Sequence, residues 1–253
     1  MKSVVLSLVA AAAVFLAVPS SAAAEGWGNV KGQFVLDGDI PESEPLVKKD
    51  DPGAKDGAVC AAEAVPDDSL VVDEDSKGIA NVVLFPSRFK GDIHPEAAQR
   101  EDTVVFDQKG CQFIPHILMV QTGQKVLVKS DDACAHNARS QFVRNTSFNI
   151  TVPPNERDGI EVDISATEPL PMPIKCDIHP YMAAHWLIVD HPYAAISGED
   201  GTFEVKNLPE GKHTFRVWHE RKGYIDRSFK FEIEPGETTD VGVVKVDAAD
   251  LAK

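Results

Sequence analysis

The order of short apolar runs and turn residues constrains the fold of this chain more than any other feature of its sequence. Between residues 101 and 190, apolar and polar residues alternate in short runs that end at turn signals such as Thr122-Gly123. Such alternation is typical of β-strands with one buried face, and many short strands joined by tight turns are typical of a sandwich. The sequence therefore predicts an all-β fold with an antiparallel β-sandwich in this region. Its predicted strands are Thr103–Phe106, Phe113–Gln121, Lys125–Ser130, Ser147–Val152, Gly159–Ile164, Met172–Cys176 and Trp186–Asp190.

Strand-like runs also occur on both sides of this middle region. They are Trp27–Leu36, Ser69–Val72 and Ile79–Phe85 before it, and Gly201–Val205, His213–His219, Ser228–Ile233 and Thr239–Val246 after it. Residues 37–64 are rich in charged residues, Pro and Gly and predict a long acidic loop, while residues 86–100 predict a polar connector with a short helix at 95–100. We therefore divide the chain after residue 24 into an N-terminal β segment (25–100), the sandwich (101–190) and a C-terminal β segment (191–253).

Residues 1–24 have the pattern of a secretory signal peptide. A positive Lys2 precedes an apolar stretch at residues 4–18, and small residues at 22–24 fit a cleavage site. We therefore expect a periplasmic or secreted protein with no membrane insertion after signal cleavage. A membrane anchor is the alternative, but the apolar stretch is short for one.

The charge of the chain limits its partners. The formal net charge is −15 at pH 7, which argues against nucleic acid and anionic membrane surfaces as partners. Acidity of this kind keeps an exported protein soluble, and it also steers a protein toward a basic partner.

The stretch Cys176-Asp-Ile-His-Pro-Tyr-Met182 combines a thiolate, an imidazole and a thioether in one short loop, and a second imidazole lies upstream at His136. Copper that cycles between Cu(I) and Cu(II) needs ligands that suit both oxidation states. Two His and one Cys in a trigonal arrangement, with a weak axial Met, supply such a set. The sequence therefore predicts a mononuclear copper site with the ligands His136, Cys176, His179 and Met182.

This ligand order resembles the type 1 copper site of the cupredoxin family, and the loop is most similar to the short ligand loop of amicyanin-like members. The resemblance covers residues 103–190 and implies a Greek-key β-sandwich that holds one type 1 copper ion. It also implies that Asn137, which follows the first ligand, fastens the two copper loops together. In that family an apolar collar around the exposed edge of the second ligand, His179, is a docking surface for redox proteins. Here the collar would consist of Pro171, Met172, Pro173, Pro180 and Tyr181.

Several residues near the predicted site allow more than one interpretation. Cys134 could replace Met182 as a ligand in a tetrahedral zinc site with His136, Cys176 and His179. We expect a disulfide between Cys60 and Cys111, because Cys134 lies so close to the site, although spacing alone does not fix the pairing. For His116 there are two alternatives, a group that supports the copper ligands from outside and a structural histidine.

The flanking segments resemble carboxypeptidase-regulatory-like domains. The resemblance rests on GTFEV at residues 201–205, LPEG at 208–211 and GIANVVLF at 78–85. It implies one small β-sandwich that is split in sequence and has the copper domain inserted into it. Two tandem β units are the alternative, and neither arrangement adds chemistry of its own.

The function that the sequence favours is that of an exported single-electron carrier between redox protein partners. We do not expect an enzyme, because copper enzymes that resemble this module need further copper sites, usually with His-x-His pairs, and the sequence has no such pair. A non-redox copper- or zinc-binding module, or a docking or adhesion module, is the alternative.

Overall fold

The computed structural model describes residues 26–252, and the predicted signal peptide lies outside these residues. Strands dominate the described chain, so the all-β prediction is confirmed. Two one-turn helices accompany them, α1 (Gly57–Cys60) and α2 (Ala248–Leu251). The strands are β1 (Trp27–Asp37), β2 (Val83–Phe85), β3 (Thr103–Lys109), β4 (Gln112–Ile114), β5 (Ile117–Gln121), β6 (Lys125–Val128), β7 (His136–Ser140), β8 (Asn149–Val152), β9 (Ile160–Asp163), β10 (Met172–Lys175), β11 (Ala183–Val189), β12 (Ala195–Ile196), β13 (Thr202–Pro209), β14 (Gly211–His219), β15 (Gly223–Ile233) and β16 (Thr238–Asp247).

Strands β3–β11 form a sandwich that we call the inner sandwich. One sheet has the order β5-β11-β10-β7-β8 and the other has the order β4-β3-β6-β9. Their apolar faces form one core around the fully buried Trp186, Phe106 and Ile174. The sequence predicted an antiparallel sandwich, but β5–β11 and β3–β6 are parallel pairs. The alternation of residues reports only which face of a strand is buried, so it does not distinguish the two strand directions.

Strands from both ends of the chain form a second sandwich, the outer sandwich. Its sheets have the orders β13-β1-β16 and β12-β2-β14-β15. Strand β2 pairs with β14 through Val83 and Trp218, and β1 lies between β13 and β16. Residues from both segments therefore build one core. This pairing corresponds to the split arrangement and not to two tandem units.

A third cluster of buried residues joins the two sandwiches. Ile117, Leu187 and Val189 from the inner sandwich pack with Val83 and Trp218 from the outer one. The two sandwiches therefore share apolar contacts that neither could bury alone.

Local predictions failed where the pattern was short or polar. The run Ser69–Val72 is not a strand and makes only one isolated bridge, between Val72 and Ile79. Residues 95–98 form turns, and the stretch 95–100 contains no helix. The predicted strand Phe113–Gln121 is two strands, β4 and β5, because Pro115 lies between them and has no backbone N–H for a ladder. In the part of the chain that the structure describes, no helix is long and apolar enough to span a membrane.

Candidate metal centre

Neighbouring strand ends bring the predicted ligands together. Strand β10 lies between β7 and β11 and is antiparallel to both. His136 is the first residue of β7, and the loop 176–182 connects β10 to β11. The end of β10 therefore lies beside the start of β7, which places Cys176 and His179 next to His136.

The two imidazoles face each other through the same ring atom. Nδ1 of His136 lies 3.0 Å from Nδ1 of His179, and Sγ of Cys176 lies 3.9 Å from Nδ1 of His179. One ligand atom from each of the three side chains lies within 4.8 Å of the others. All three residues are buried. Two imidazole nitrogens and a sulfur thus converge on one point that is shielded from water.

Met182 closes the ligand loop. Its backbone N–H donates to His179 O at 2.9 Å, and its carbonyl oxygen accepts from Cys176 N at 3.2 Å. The residue is buried and belongs to the same core cluster as Cys176. The loop is therefore a tight turn whose two ends hold the thiol and the thioether.

Asn137 fastens this loop to β7 through hydrogen bonds. Its Oδ1 accepts from the backbone N–H groups of Asp177 at 2.7 Å and Ile178 at 3.2 Å. Its own N–H donates to Cys176 Sγ at 3.5 Å, and the N–H of His179 donates to the same sulfur at 3.3 Å. Donors of this kind stabilise a thiolate. Although burial opposes it, these bonds and the neighbouring His136 lower the pKa of Cys176.

Two carboxylates hold the outer edges of the imidazoles, and neither was predicted from the sequence. Nε2 of His136 lies 2.9 Å from Asp132 Oδ2, and Nε2 of His179 lies 3.0 Å from Asp56 Oδ2. Asp132 is itself fixed by the N–H groups of Gly110 and Cys111. A carboxylate on the far nitrogen fixes the tautomer and leaves Nδ1 as the ligand atom. Burial opposes a charge on His136, but the bonds to Asp132 and Cys176 raise its pKa to about 9.

Only one of these two carboxylates lies close enough in sequence to its histidine to be found from the sequence. Asp132 precedes His136 by four residues, so a search for acidic residues near the ligand could have identified it. Asp56 lies 123 residues from His179 in sequence, in the long acidic loop. Nothing local in the sequence links the two.

Cys134 lies near both predicted histidine ligands, since its Sγ belongs to one group of neighbouring ligand atoms with His136 and to another with His179. Its Sγ is 3.6 Å from Nε2 of His136, the nitrogen that faces away from Cys176. Burial and the nearby Asp132 raise the pKa of Cys134 to about 11, which keeps the thiol protonated. The ligand-atom group that contains Cys176 does not include Cys134. Because Cys134 and Cys176 do not share a group, the four side chains do not converge on one point, which weighs against the tetrahedral zinc alternative.

A disulfide joins Cys60 and Cys111, the pair favoured from sequence. Cys60 ends α1, so the bridge anchors the acidic loop to the inner sandwich. Asp56 is the residue before α1. The disulfide therefore holds Asp56 over His179.

Two predicted surroundings of the site differ in the structure. The ring of His179 has no exposed edge, because Asp56 and its loop cover it. In the predicted collar, Pro171 and Met172 are buried in the sheet region, so the five residues do not form one exposed surface.

His116 pairs with Glu220 and not with any of the predicted ligands, although it lines a small cavity together with Met182.

No protein-family model and no curated protein sequence matches the chain. Among solved structures, a Cu-containing nitrite reductase (NirK) from Thermus scotoductus SA-01 matches at TM-score 0.31 and 20% identity, over 34% of this chain and 22% of that one. A mutant of amicyanin in its reduced state matches at TM-score 0.30 and 15% identity, over 42% of this chain and 90% of that one. A purple cupredoxin from Nitrosopumilus maritimus matches at TM-score 0.28 and 17% identity, over 34% of this chain and 97% of that one. Because these scores are low, the assignment of the site rests on its own residues and distances.

Proposed function

We propose that this chain is an exported type 1 copper protein that carries single electrons between redox protein partners. One observation carries the proposal: the Nδ1 atoms of the buried His136 and His179 face each other at 3.0 Å beside the buried sulfur of Cys176. Two imidazoles and a thiolate, with Met182 in the same loop, are the donor set that suits both oxidation states of copper. The residues present therefore fit one copper ion per chain.

Bound copper would supply a one-electron couple between Cu(I) and Cu(II). The protein's own residues supply rigidity, because Asp132 and Asp56 orient the imidazoles and Asn137 fixes the loop. Burial of the ligands excludes water from the donor atoms. A site that is held so firmly rearranges little when an electron enters or leaves, which favours fast transfer.

The remaining parts of the proposal concern location and partners. The signal-peptide pattern at residues 1–24 supports export, and a disulfide between Cys60 and Cys111 suits an oxidising compartment. The net charge of −15 favours a redox partner with a basic face. We propose a carrier and not an enzyme, because copper enzymes that resemble this module need further copper sites, usually with His-x-His pairs, and the sequence has no such pair.

The visible spectrum of the copper-loaded protein tests this function. We expect a strong band from charge transfer between the Cys176 thiolate and Cu(II). The band should be lost in Cys176→Ser and kept in Cys134→Ser, which removes the other free buried thiol. A band that survives in Cys176→Ser would refute the proposed ligand set, and loss of the band in Cys134→Ser would restore the rival set with a second sulfur.

A non-redox metal-binding or docking module is the second candidate, and one observation favours it. Asp56 covers the edge of His179 that would otherwise give electrons a route to the surface. Cyclic voltammetry of the copper-loaded protein separates the two functions. A reversible one-electron wave supports the carrier, while tight copper binding without such a wave supports the second candidate.

A further inference from the structure

A second group of metal-ligating side chains lies where the inner and outer sandwiches meet. His116 directly precedes β5, and His185 lies in β11, the strand paired with β5. Glu220 follows β14 of the outer sandwich. One ligand atom from each of these residues lies within 4.8 Å of the others. Residues 104 positions apart in sequence therefore meet at one point.

The carboxylate of Glu220 stands between the two imidazoles. Its Oε1 pairs with Nε2 of His116, and its Oε2 lies 3.9 Å from Nδ1 of His185. The side chains of all three residues are between 11% and 14% exposed. A backbone hydrogen bond from His185 N to His116 O, at 2.9 Å, fixes the two histidines relative to each other.

His185 has a ligand atom with nothing bound to it. Among the described residues, its buried Nδ1 has no hydrogen-bond partner. A buried polar atom without a partner is destabilising unless something else satisfies it. This atom points to a ligand that the protein chain does not itself provide.

The cluster also borders a small cavity. The cavity has a volume of about 50 Å³, and His116, Glu220, Asp68 and Met182 are among the residues that line it. That volume is enough for one or more water molecules. A metal ion bound by three protein side chains keeps a position open for water, and this cavity would provide it.

We propose that His116, His185 and Glu220 form a second metal site, for a divalent transition-metal ion such as Zn²⁺, that joins the two sandwiches. Two imidazoles and one carboxylate suit such an ion. Ligand bonds of about 2.0–2.2 Å place ligand atoms roughly 3.3 Å apart, so the 3.9 Å between His185 and Glu220 needs only a small adjustment. Because two ligands come from the inner sandwich and one from the outer, a bound ion would hold the two together.

Zinc stoichiometry of the full chain tests the proposal. We expect Glu220→Gln and His185→Asn to bind one equivalent of zinc less than the wild type, with an affinity loss of at least roughly 100-fold at this site. Glu234→Gln, in the exposed β15–β16 turn, and His213→Asn serve as matched controls and should bind as the wild type does. Glu220→Gln keeps the size of the side chain, so circular dichroism should show an unchanged fold. If Glu220→Gln binds as much zinc as the wild type, the cluster is only an ion pair between the sandwiches.

Thermal unfolding provides an independent readout. Zinc should raise the melting temperature of the wild type and of the Glu234→Gln control, because a ligand of the folded state stabilises it. The rise should be smaller in Glu220→Gln, and an equal rise would overturn the proposal. Both readouts compare variants that leave His136, Cys176 and His179 intact. The tests can therefore refute the second metal site without refuting the copper site, and they can refute the copper site without refuting the second one.

Discussion

At the scale of single residues, Asn137 connects the two halves of the metal centre. Its amide is buried and bonds to backbone or side-chain atoms on both sides of the site. From the sequence, this fastening role of Asn137 followed only from the resemblance to a known family. The structure adds the physical reason, because one amide oxygen satisfies two consecutive N–H groups of the ligand loop.

We expect Asn137→Ala to lower the free energy of unfolding of the metal-free protein by about 1–3 kcal/mol, since it leaves two partly buried backbone N–H groups without acceptors. Denaturant unfolding measures this loss. The matched control is Asn149→Ala, at an exposed asparagine that accepts one bond from Asn137, and it should have a smaller effect. Equal losses in the two variants would contradict the fastening role.

Asp56 covers the ring of His179, whose edge was expected to be exposed. If the proposed function holds, Asp56→Ala should expose His179 and speed reduction of the copper-loaded protein by a neutral reductant several-fold. Stopped-flow absorbance measures the rate. Asp39→Ala removes an equal charge from an exposed position in the same loop and should leave the rate unchanged. A rate in Asp56→Ala equal to that of the wild type would show that electrons from the reductant do not enter through His179.

At the scale of elements, the sequence identified strands well where apolar and polar residues alternate, as in β1, β6 and β16. It missed β7, whose sequence His136-Asn-Ala-Arg-Ser140 has no alternation because polar residues of the site are themselves buried. A functional strand therefore breaks the very pattern by which strands are recognised.

The loop between β7 and β8 depends on one buried acid. The carboxylate of Glu168 accepts from the backbone N–H groups of Val143, Arg144 and Asn145. Burial opposes the charge, but these bonds and the Asn145 side chain lower the pKa of Glu168 below its usual value of 4.5. The stability that this gives is present above the unfolded pKa and is lost as pH falls through the folded one.

We expect Glu168→Gln to lower the free energy of unfolding by about 1–3 kcal/mol near pH 7. The difference from the wild type should shrink as pH falls below about 4.5, where the unfolded chain takes up a proton first, and it should be lost below the lowered pKa of the folded state. Denaturant unfolding at several pH values measures this. Glu161→Gln, at an exposed strand position, should change stability little at any pH. A pH-independent difference for Glu168→Gln would show that the charge is not what holds the loop.

At the scale of the whole molecule, the inner sandwich interrupts the outer one, and the two share buried apolar residues. Leu187 is fully buried in this shared cluster. Its removal therefore affects contacts of both sandwiches.

We expect Leu187→Ala to cost roughly 2–5 kcal/mol of unfolding free energy through lost burial and a new cavity. Calorimetry should show that both sandwiches unfold in one transition, in the variant as in the wild type. Val243→Ala, at an exposed apolar position, should cost well under about 1 kcal/mol. Two separate transitions in the wild type would show that the shared cluster does not couple the sandwiches.

The sequence by itself determined the all-β class and the spacing of the proposed ligands in the loop 176–182, because strand alternation and loop spacing are local properties of the chain. Only the tertiary structure decided what surrounds these ligands. The pairs His179–Asp56 and His116–Glu220 span 123 and 104 residues, and they form only when loops and sheets pack together. Local patterns carry no information about such contacts, because their partners are chosen by the packing of the whole fold.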